Sequence, residues 1–318
     1  QLRLAYGINT SYGNSAHDLS AMMWWHIARN AEIVAGDGKV YASAGGNQRM
    51  PEAMAKGLGG TIHFNRHIVG ISDDGGSIEA TCVDGSRFRG KAMVCTLPAS
   101  ALRLVRFDTA LPPEPQVAID TLAYNRVFQV HFVPTRRFWE EDGLPPSLWS
   151  DTLAGRFMAL HYGGNPVDVT TFLAYVNGFA ADRLDRMEPG AATAAVLAEV
   201  ERMRPSAKGA LRAVKVWSWQ RDPFAGGAYA CWQPGQIARL AGAFDKPVGR
   251  LPALVVGAAV VNEDRRNAAE IVAQMLGVGH RTQQSLFFAG EHTAAIARGM
   301  EGAMESGERA ALQVLETI

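Results

Sequence analysis

The C-terminal end of this chain carries the pattern that most restricts its fold. Residues 286–293, with the sequence LFFAGEHT, are an apolar run that meets a glycine, and residues 299–311 (GMEGAMESGERAA) follow after a loop. The first segment predicts a buried strand, and the second predicts a helix whose first turn contains Met300. Gly290 has no Cβ and lets a ligand approach the backbone. The first helix amides lack partners and lie at the positive end of the helix dipole, so this junction favours an electron-rich ligand.

Together, these two segments resemble the C-terminal FAD-binding signature of the flavin-containing amine oxidases, which include monoamine, polyamine and L-amino-acid oxidases. The resemblance implies that the helix start points at the pyrimidine edge of the flavin, where negative charge accumulates on reduction. It assigns cofactor contacts in this segment to Gly290, Glu291, Gly299, Met300, Glu301 and Ala303. A strand, a glycine and a helix also form ordinary packing junctions, but the length of the match favours the flavin site.

The resemblance implies a mixed fold of the α/β (α+β) class with two domains. Residues 1–40 are expected to be helices of the substrate domain, and residues 41–110 part of the FAD-binding domain. Residues 111–236 are expected to form the mixed-sheet substrate domain. Residues 237–318 are expected to be the C-terminal part of the FAD-binding domain, with residues 251–285 as an inserted surface excursion.

A dinucleotide-binding βαβ unit is missing from this sequence. Such a unit needs G-x-G-x-x-G between a strand and a helix, and none of the 318 residues provides that run. The family places this unit at the N-terminus, and the first residue here is Gln rather than Met. We therefore expect an FAD-binding domain that is incomplete at its N-terminus. Either a separate chain carries the missing unit or this chain is a fragment; a homodimer is also left open.

A second glycine-rich segment, residues 44–50 (AGGNQRM), precedes Pro51. Proline suits the first turn of a helix, so this segment predicts a helix from Glu52 to Leu58. The segment resembles the family's second glycine motif, which lies close to the flavin. The resemblance therefore assigns cofactor contacts to Gly45, Gly46 and Arg49.

Alternating and β-branched residues predict strands in both halves of the chain. The predicted strands are Thr61–Phe64, Ile68–Ser72, Val127–Phe132, Val169–Val176 and Val214–Trp219. A helix is predicted from Ala191 to Met203, before Pro205. The resemblance also implies that Val69 contacts the adenine end of FAD through its backbone.

Gln129 occupies the strand position where amine oxidases usually carry a lysine, when the chain is aligned on Phe138-Trp139. In the family that lysine holds a water near flavin N5 and is thought to help the reduced flavin react with oxygen. Glutamine can hydrogen-bond a water but supplies no positive charge. Flavin reduction without fast use of oxygen is therefore expected. The alternative is that Gln129 is an ordinary strand residue facing solvent.

Tyr229 and Trp219 occupy the positions of one wall of the family's aromatic cage and of a tryptophan beside the flavin. The resemblance gives both residues catalytic and cofactor-binding roles, because an electron-rich cage polarises an amine and attracts its cationic form. Ala228, also assigned to the cofactor, lies where some relatives attach flavin to cysteine, so noncovalent FAD is expected. Arg298 lies near the position of the second cage tyrosine and indicates an anionic or carboxylate-bearing substrate.

The resemblance thus implies an FAD-dependent oxidoreductase that acts on CH–NH groups. An amine or amino acid would give hydride to flavin N5, the imine would hydrolyse in water, and oxygen or another acceptor would reoxidise the flavin. The alternative is a truncated or non-catalytic chain of the same fold that does not bind FAD alone, because it lacks the contacts to the ADP half of the cofactor.

The composition argues against several other classes of partner. Lys+Arg and Asp+Glu both total 31, so the formal net charge is zero, which argues against nucleic acid or an anionic membrane surface. No apolar run approaches the roughly 20 residues of a membrane span, and no signal segment is recognisable, so a soluble cytoplasmic protein is expected. Cys82, Cys95 and Cys231 are expected to be reduced and buried. His63 and His67 lie in a strand-like stretch, so no metal site is predicted.

Overall fold

The computed structural model describes residues 15–23, 25, 43–58, 62–163, 165, 167–249, 284–294 and 299–317. These residues belong to two compact units. The first contains the described residues of Gln1–Phe64, Pro98–Ala101 and Asp120–Ala241. The second contains the described residues of Asn65–Leu97, Leu102–Ile119 and Gly242–Ile318. Which unit binds FAD and which binds substrate stays a prediction, as do the four domain ranges given above.

The described strands and helices are numbered here in chain order. The strands are β1 Ile68–Asp73, β2 Ile78–Cys82, β3 Arg87–Gly90, β4 Met93–Cys95, β5 Arg106–Phe107, β6 Ala123–Tyr124, β7 Val127–Pro134, β8 Leu148–Trp149, β9 Arg156–Leu160, β10 Thr171–Asn177, β11 Leu211–Ser218, β12 Ala230–Cys231, β13 Val248–Gly249 and β14 Gln284–Phe288. The α-helices are α1 Arg49–Gly57, α2 Ala99–Leu102, α3 Pro113–Thr121, α4 Phe138–Glu141, α5 Gly178–Asp185, α6 Pro189–Met203, α7 Gln236–Leu240 and α8 Gly299–Thr317. Short 3-10 turns cover Ala16–Asp18, Pro205–Ala207, Trp219–Arg221 and Glu291–Thr293.

The first unit is built on an antiparallel sheet with the strand order β11-β7-β10-β9-β8. Side chains alternate across a strand, so every second residue of the central strands points to the same face. One face forms the core, where helices α5 and α6 pack on the sheet. The buried residues that β7, β10, α5 and α6 contribute to it are Phe128, Val130, Phe132, Phe172, Ala174, Val176, Ala181, Leu184, Ala192, Val196 and Val200.

The second unit contains two small sheets, with the orders β3-β2-β1-β5 and β13-β14-β4. Strand β14 pairs in parallel with β4, with Phe287 opposite Val94. Its apolar run is buried, as parallel strands require. Helix α8 covers this strand, and Ala310 packs against Phe287 and Ala289.

Most of the predicted elements are present with shifted ends. The helix predicted from Glu52 begins earlier, at Arg49. The strand predicted from Thr61 to Phe64 is wrong: residues 62–64 have no regular structure, and Thr61 lies outside the described residues. The strand predicted to end at Trp219 ends at Ser218, because a 3-10 turn begins there. Most of the predicted insertion 251–285 lies outside the described residues, although its last two residues, 284 and 285, belong to β14.

Candidate functional site

Gly290 forms a sharp turn at the end of β14. Its φ is +125°, a conformation that residues with a Cβ rarely adopt. A Cβ at this position would lie 2.8 Å from Cε1 and Nδ1 of the His292 ring. The glycine of the motif is therefore required by the backbone conformation and by the neighbouring imidazole, before any ligand is considered.

Two side chains of α8 hold this turn in place. The Gly290 N–H donates to Oγ of Ser306 at 2.8 Å, and the Ser306 hydroxyl lies 3.0 Å from the Gly290 carbonyl. Arg309 donates through Nη2 to Oγ1 of Thr293 at 3.0 Å and to the Phe288 carbonyl at 3.3 Å. The two halves of the sequence motif, GEHT and ESGERAA, are thus parts of one hydrogen-bonded cluster.

His292 lies inside the same turn and is almost fully buried, with 6% exposure. Burial lowers the pKa of its imidazole to about 4, so the ring is neutral near pH 7. Its ring packs edge-on against Phe244, at 5.3 Å between centroids. Nε2 of His292 is buried and has no hydrogen-bond partner in the part of the chain that the structure describes. The sequence predicts none of this, because burial depends on Phe244, 48 positions away.

The start of α8 is open to solvent. Gly299, Met300, Glu301 and Ala303 are exposed, whereas Gly302 is buried. The first four N–H groups of an α-helix have no partner within it, and they carry the positive end of its dipole. The cofactor contacts assigned to these exposed residues stay a prediction. Glu291, in the preceding 3-10 turn, is half-buried.

The predicted contacts from the other two motifs lie in different units. Gly45 and Gly46 have φ values of +81° and +95° and form the turn before α1. Arg49 is exposed and lies 4.0 Å from Glu52, one helical turn away. In the second unit, the register of β1 on β2 shifts between Ile68 and Gly70, so Val69 has no residue directly opposite. Such a shift is typical of a β-bulge, and the predicted backbone contact of Val69 with the cofactor stays a prediction.

The glycine-rich bend at residues 222–229 packs tightly within the first unit. A Cβ on Gly226 would lie 2.7 Å from Cβ of Ser100, and one on Gly227 would lie 2.4 Å from Cβ of Tyr124. The Ala228 N–H donates to the Asn125 carbonyl at 2.9 Å. These glycines are therefore explained by packing within the protein.

A row of side chains crosses the whole sheet of the first unit on the face opposite its core. Trp217 lies opposite Gln129, Gln129 opposite Tyr175, Tyr175 opposite Arg156, and Arg156 opposite Trp149. Residues directly opposite each other in paired strands point to the same face. Gln129, Tyr175 and Arg156 are half-buried. Whether Gln129 acts in the site or is an ordinary strand residue stays open. Only Gln129 of these five residues was predicted to belong to the site, because cross-strand register is not visible in the sequence.

Tyr229 and Trp219 both contact this row. Burial raises the pKa of the Tyr175 hydroxyl well above its ordinary value, and a hydrogen bond with Tyr229 raises it further. Trp219 packs edge-on against Trp217, with 6.1 Å between ring centroids. The next residue, Gln220, accepts a hydrogen bond from the Val127 N–H at 2.8 Å and so fixes the turn that carries Trp219.

Arg298, the three cysteines and the absence of a metal site were also predicted from the sequence. Arg298 lies outside the described residues, so its role stays a prediction. Cys82, Cys95 and Cys231 are buried and free, as expected. Among the described residues, no group of three or more His, Cys, Asp and Glu side chains is arranged to hold a metal ion.

Comparison with known proteins identifies the family. A sequence model of the family described as "Flavin containing amine oxidoreductase" matches residues 8–315. The chain belongs to this family. The suspected resemblance to flavin-containing amine oxidases is confirmed, and with it the predicted mixed α/β fold class.

Several members of the flavin-containing amine oxidoreductase family are similar to the chain over part of their length. An L-amino-acid oxidase of Bothrops jararacussu is 22% identical over 216 residues, which cover 65% of this chain and 43% of that protein. An L-amino acid oxidase of Bothrops pictus is 21% identical over 279 residues, covering 85% and 49%. The chain therefore spans less than half the length of these relatives.

Solved structures of amine oxidases share the fold. Cyclohexylamine oxidase from Brevibacterium oxydans IH-35A superposes with a TM-score of 0.72 at 18% identity, over 98% of this chain and 63% of that one. A redesigned putrescine oxidase gives a TM-score of 0.66 at 19% identity, over 86% and 53%. Among the described helices, none combines the length and the apolar character needed to cross a membrane.

Proposed function

We propose that this chain is part of an FAD-dependent oxidoreductase that oxidises an amine or an amino acid. The observation that carries the proposal is the hydrogen-bonded cluster in which Ser306 and Arg309 of α8 hold the turn at Gly290. It holds a glycine turn and an exposed helix start within one short segment of a chain that belongs to the flavin-containing family. When bound, FAD supplies the acceptor for a hydride from the carbon that carries the nitrogen.

The residues of the second unit fit the electron-rich edge of a flavin. The exposed residues Gly299, Met300 and Glu301 begin α8, where backbone N–H groups lack partners within the helix and lie at the positive end of its dipole. Nε2 of His292 is a buried polar atom without a partner among the described residues. In our proposal these groups bind the cofactor, and the backbone at the register shift around Val69 contacts its adenine end. Because Ala228 offers no thiol, we propose that the cofactor is bound noncovalently.

The aromatic residues of the first unit are suited to bind an amine substrate. Tyr175 and Tyr229 are joined by a hydrogen bond, and Trp217 and Trp219 pack together beside Gln129. Such aromatic faces attract a cationic amine before it loses its proton. Gln129 can orient a water but carries no positive charge. We propose that the aromatic rings orient the amine and that the neutral Gln129 leaves reaction with oxygen slow.

A further strand is expected beside β4. Among the described strands, β4 pairs with β14 alone, and Val94 is 41% exposed. An open edge of a parallel sheet accepts another strand. We propose that a dinucleotide-binding segment with G-x-G-x-x-G occupies this edge and holds the ADP half of FAD. A homodimer stays a prediction.

The second candidate function is a non-catalytic chain of the same fold that does not bind FAD alone. Two observations favour it: the absent G-x-G-x-x-G run, and the match to less than half the length of its relatives. If the chain binds FAD by itself with micromolar affinity or better, this candidate is excluded.

Reduction of bound flavin tests the proposal. The chain is supplied with FAD, and where needed with a segment that carries G-x-G-x-x-G, and mixed with amines and amino acids without oxygen. We expect the visible flavin absorbance to fall. With oxygen admitted, we expect less hydrogen peroxide than reduced artificial acceptor, and Gln129→Lys should raise the peroxide rate. Flavin that stays oxidised with every amine and amino acid contradicts the proposal.

A further inference from the structure

Arg156 is the charged member of the row that crosses the sheet of the first unit. It lies at the start of β9, opposite Tyr175 on one side and Trp149 on the other. Its guanidinium carbon lies 4.4 Å from the centroid of the Trp149 ring. The side chain is half-buried, and its Nε atom is fully shielded from solvent.

The charge of Arg156 is not balanced in the part of the chain that the structure describes. Nε has no hydrogen-bond partner there, and no carboxylate in that part forms an ion pair with the guanidinium. The contrast with Arg204 is direct: that buried guanidinium bonds both oxygens of Asp142 at 2.8 Å and the Leu144 carbonyl at 2.9 Å. A shielded N–H donor without a partner costs free energy, and an anion that binds to the guanidinium offsets that cost.

The surroundings of Arg156 suit a carboxylate better than a larger polyanion. Tyr175, directly opposite, keeps its proton because burial and the bond to Tyr229 raise its pKa, so no negative charge develops beside an incoming anion. Paired strands lie about 4.8 Å apart, so Gln129 is about 10 Å from Arg156 along the row. The row therefore carries the Arg156 guanidinium at β9. A second cation, Lys215, lies over the Trp217 ring at the far end, with Nζ 5.1 Å from the ring centroid.

We propose that Arg156 binds the carboxylate of the substrate, and that the substrate is therefore an amino acid rather than a simple amine. This inference rests on the function proposed above and narrows its substrate class. The guanidinium presents paired N–H donors that match the two oxygens of a carboxylate. The stack on Trp149 holds the planar group in one orientation, so less side-chain entropy is lost when the anion binds.

The competing explanation is structural: Arg156 would only stabilise the edge of the sheet by covering Trp149. This explanation predicts that loss of the arginine affects charged and neutral ligands alike. A carboxylate site predicts a loss that is selective for the charged ligand. The two explanations are separated by a pair of ligands that differ in charge and little else.

Calorimetric titration of the full chain with 3-phenylpropanoate and with 3-phenylpropanamide makes this comparison. We expect the wild-type chain to bind the carboxylate at least about tenfold more tightly than the amide. Arg156→Met should weaken carboxylate binding about 10- to 100-fold and leave amide binding unchanged. Arg136→Met is the matched control, because Arg136 lies beyond the end of β7, seven residues along the chain from Gln129, and forms an ion pair with Glu141; it should leave both affinities unchanged.

Equal binding of the two ligands by the wild-type chain, or an equal loss of both in Arg156→Met, overturns the inference. Arg156→Gln provides a second variant if Arg156→Met does not fold, with the same expected selectivity. Flavin reduction by phenylalanine and by phenethylamine separates this inference from the proposed function. Carboxylate binding that depends on Arg156 without any flavin reduction contradicts the proposed function alone. If phenethylamine reduces the flavin and carboxylate affinity is the same with and without Arg156, only the carboxylate site is contradicted.

Discussion

At the residue scale, glycines with a left-handed backbone differ in whether a neighbouring side chain leaves room for a Cβ. Gly226 has a φ of +62°, and a Cβ there would lie 2.7 Å from Cβ of Ser100. Gly235 has a similar φ of +79°, but no atom lies within 4 Å of a Cβ built on it. The two positions therefore share the left-handed backbone and differ in the space around it.

Substitution of these two glycines by alanine separates two costs in unfolding free energy: that of a Cβ on a left-handed backbone, and that of the close contact with Ser100. Gly235→Ala should lower the free energy of unfolding by about 1–2 kcal/mol, the cost of a left-handed residue with a Cβ. Gly226→Ala should lower it by about 2–4 kcal/mol, because overpacking against Ser100 is added. All seven tryptophans lie in the sequence ranges of the first unit, so denaturant titration followed by tryptophan fluorescence measures this difference. Equal losses in the two variants are the contrary result.

His292 predicts a pH dependence of stability in the second unit. Burial holds the pKa of its imidazole at about 4, below the ordinary value of 6.5. In the unfolded chain the imidazole binds a proton below about pH 6.5, whereas in the folded chain it does so only below about pH 4. The free energy of unfolding therefore falls as the pH falls through this window. Between about pH 7 and about pH 5 the loss should be about 2 kcal/mol.

The neutral variant His292→Gln isolates this contribution. The difference in unfolding free energy between the wild-type chain and His292→Gln should shrink by that amount as the pH is lowered. Circular dichroism is the suitable signal, because the ranges of the second unit contain no tryptophan or tyrosine. A difference that stays constant from neutral to acid pH means that His292 titrates normally and is not buried as described.

At the element scale, α8 does more than cover β14. Ser306, buried at 1% exposure, accepts the Gly290 N–H, and its hydroxyl also lies 3.0 Å from the Ala303 carbonyl. Arg309, one helical turn further on, bonds Thr293. The helix therefore fixes the turn that precedes it in the chain, through side chains of the motif itself.

Removal of the Ser306 hydroxyl should loosen this turn. Ser306→Ala leaves the Gly290 N–H without its acceptor and should cost about 1–3 kcal/mol of unfolding free energy. Hydrogen exchange of the Gly290 amide should become faster. Glu308→Ala, at an exposed position of the same helix, should change stability by no more than about 0.5 kcal/mol and leave exchange unaltered. Unchanged exchange at Gly290 in Ser306→Ala is incompatible with this role.

The sequence predicted strongly patterned elements well and local exceptions poorly. The strand at Ile68 and the strand Val127–Phe132 are confirmed, as is the helix that ends at Met203. The prediction of a strand at residues 61–64 was wrong, because none of the described strands pairs with residues 62–64. Trp219 was misplaced because Gln220 bonds Val127 and turns the chain, which local propensity does not show.

The candidate site was predicted in part. Its C-terminal segment was visible because the strand, the glycine and the helix are contiguous in the chain. The cross-sheet row was not, because Trp217, Gln129, Tyr175 and Arg156 come from four strands and meet only through register. Tyr175 stood in an apolar run, TFLAYVN, and a polar aromatic in such a run was the one signal that pointed to it.

At the scale of the whole molecule, the chain divides its candidate contacts between two units. The helix start at Gly299–Ala303 belongs to the second unit, and the row through Gln129 belongs to the first. Both belong to a chain that matches its family from residue 8 to residue 315. The proposed enzyme depends most on the start of α8, because without bound flavin the aromatic row has no acceptor for electrons.

The affinity of the chain for FAD tests this dependence most directly. The chain is titrated with FAD, again with a G-x-G-x-x-G segment where needed, and the shift of the visible flavin spectrum is followed. Ala303→Trp places a bulky ring on the exposed first turn of α8, and Leu312→Trp places the same ring on an exposed position nine residues further along. We predict saturable binding that Ala303→Trp weakens at least about tenfold and that Leu312→Trp leaves unchanged. No spectral shift, or equal affinity in the two variants, would contradict a flavin site at this helix start.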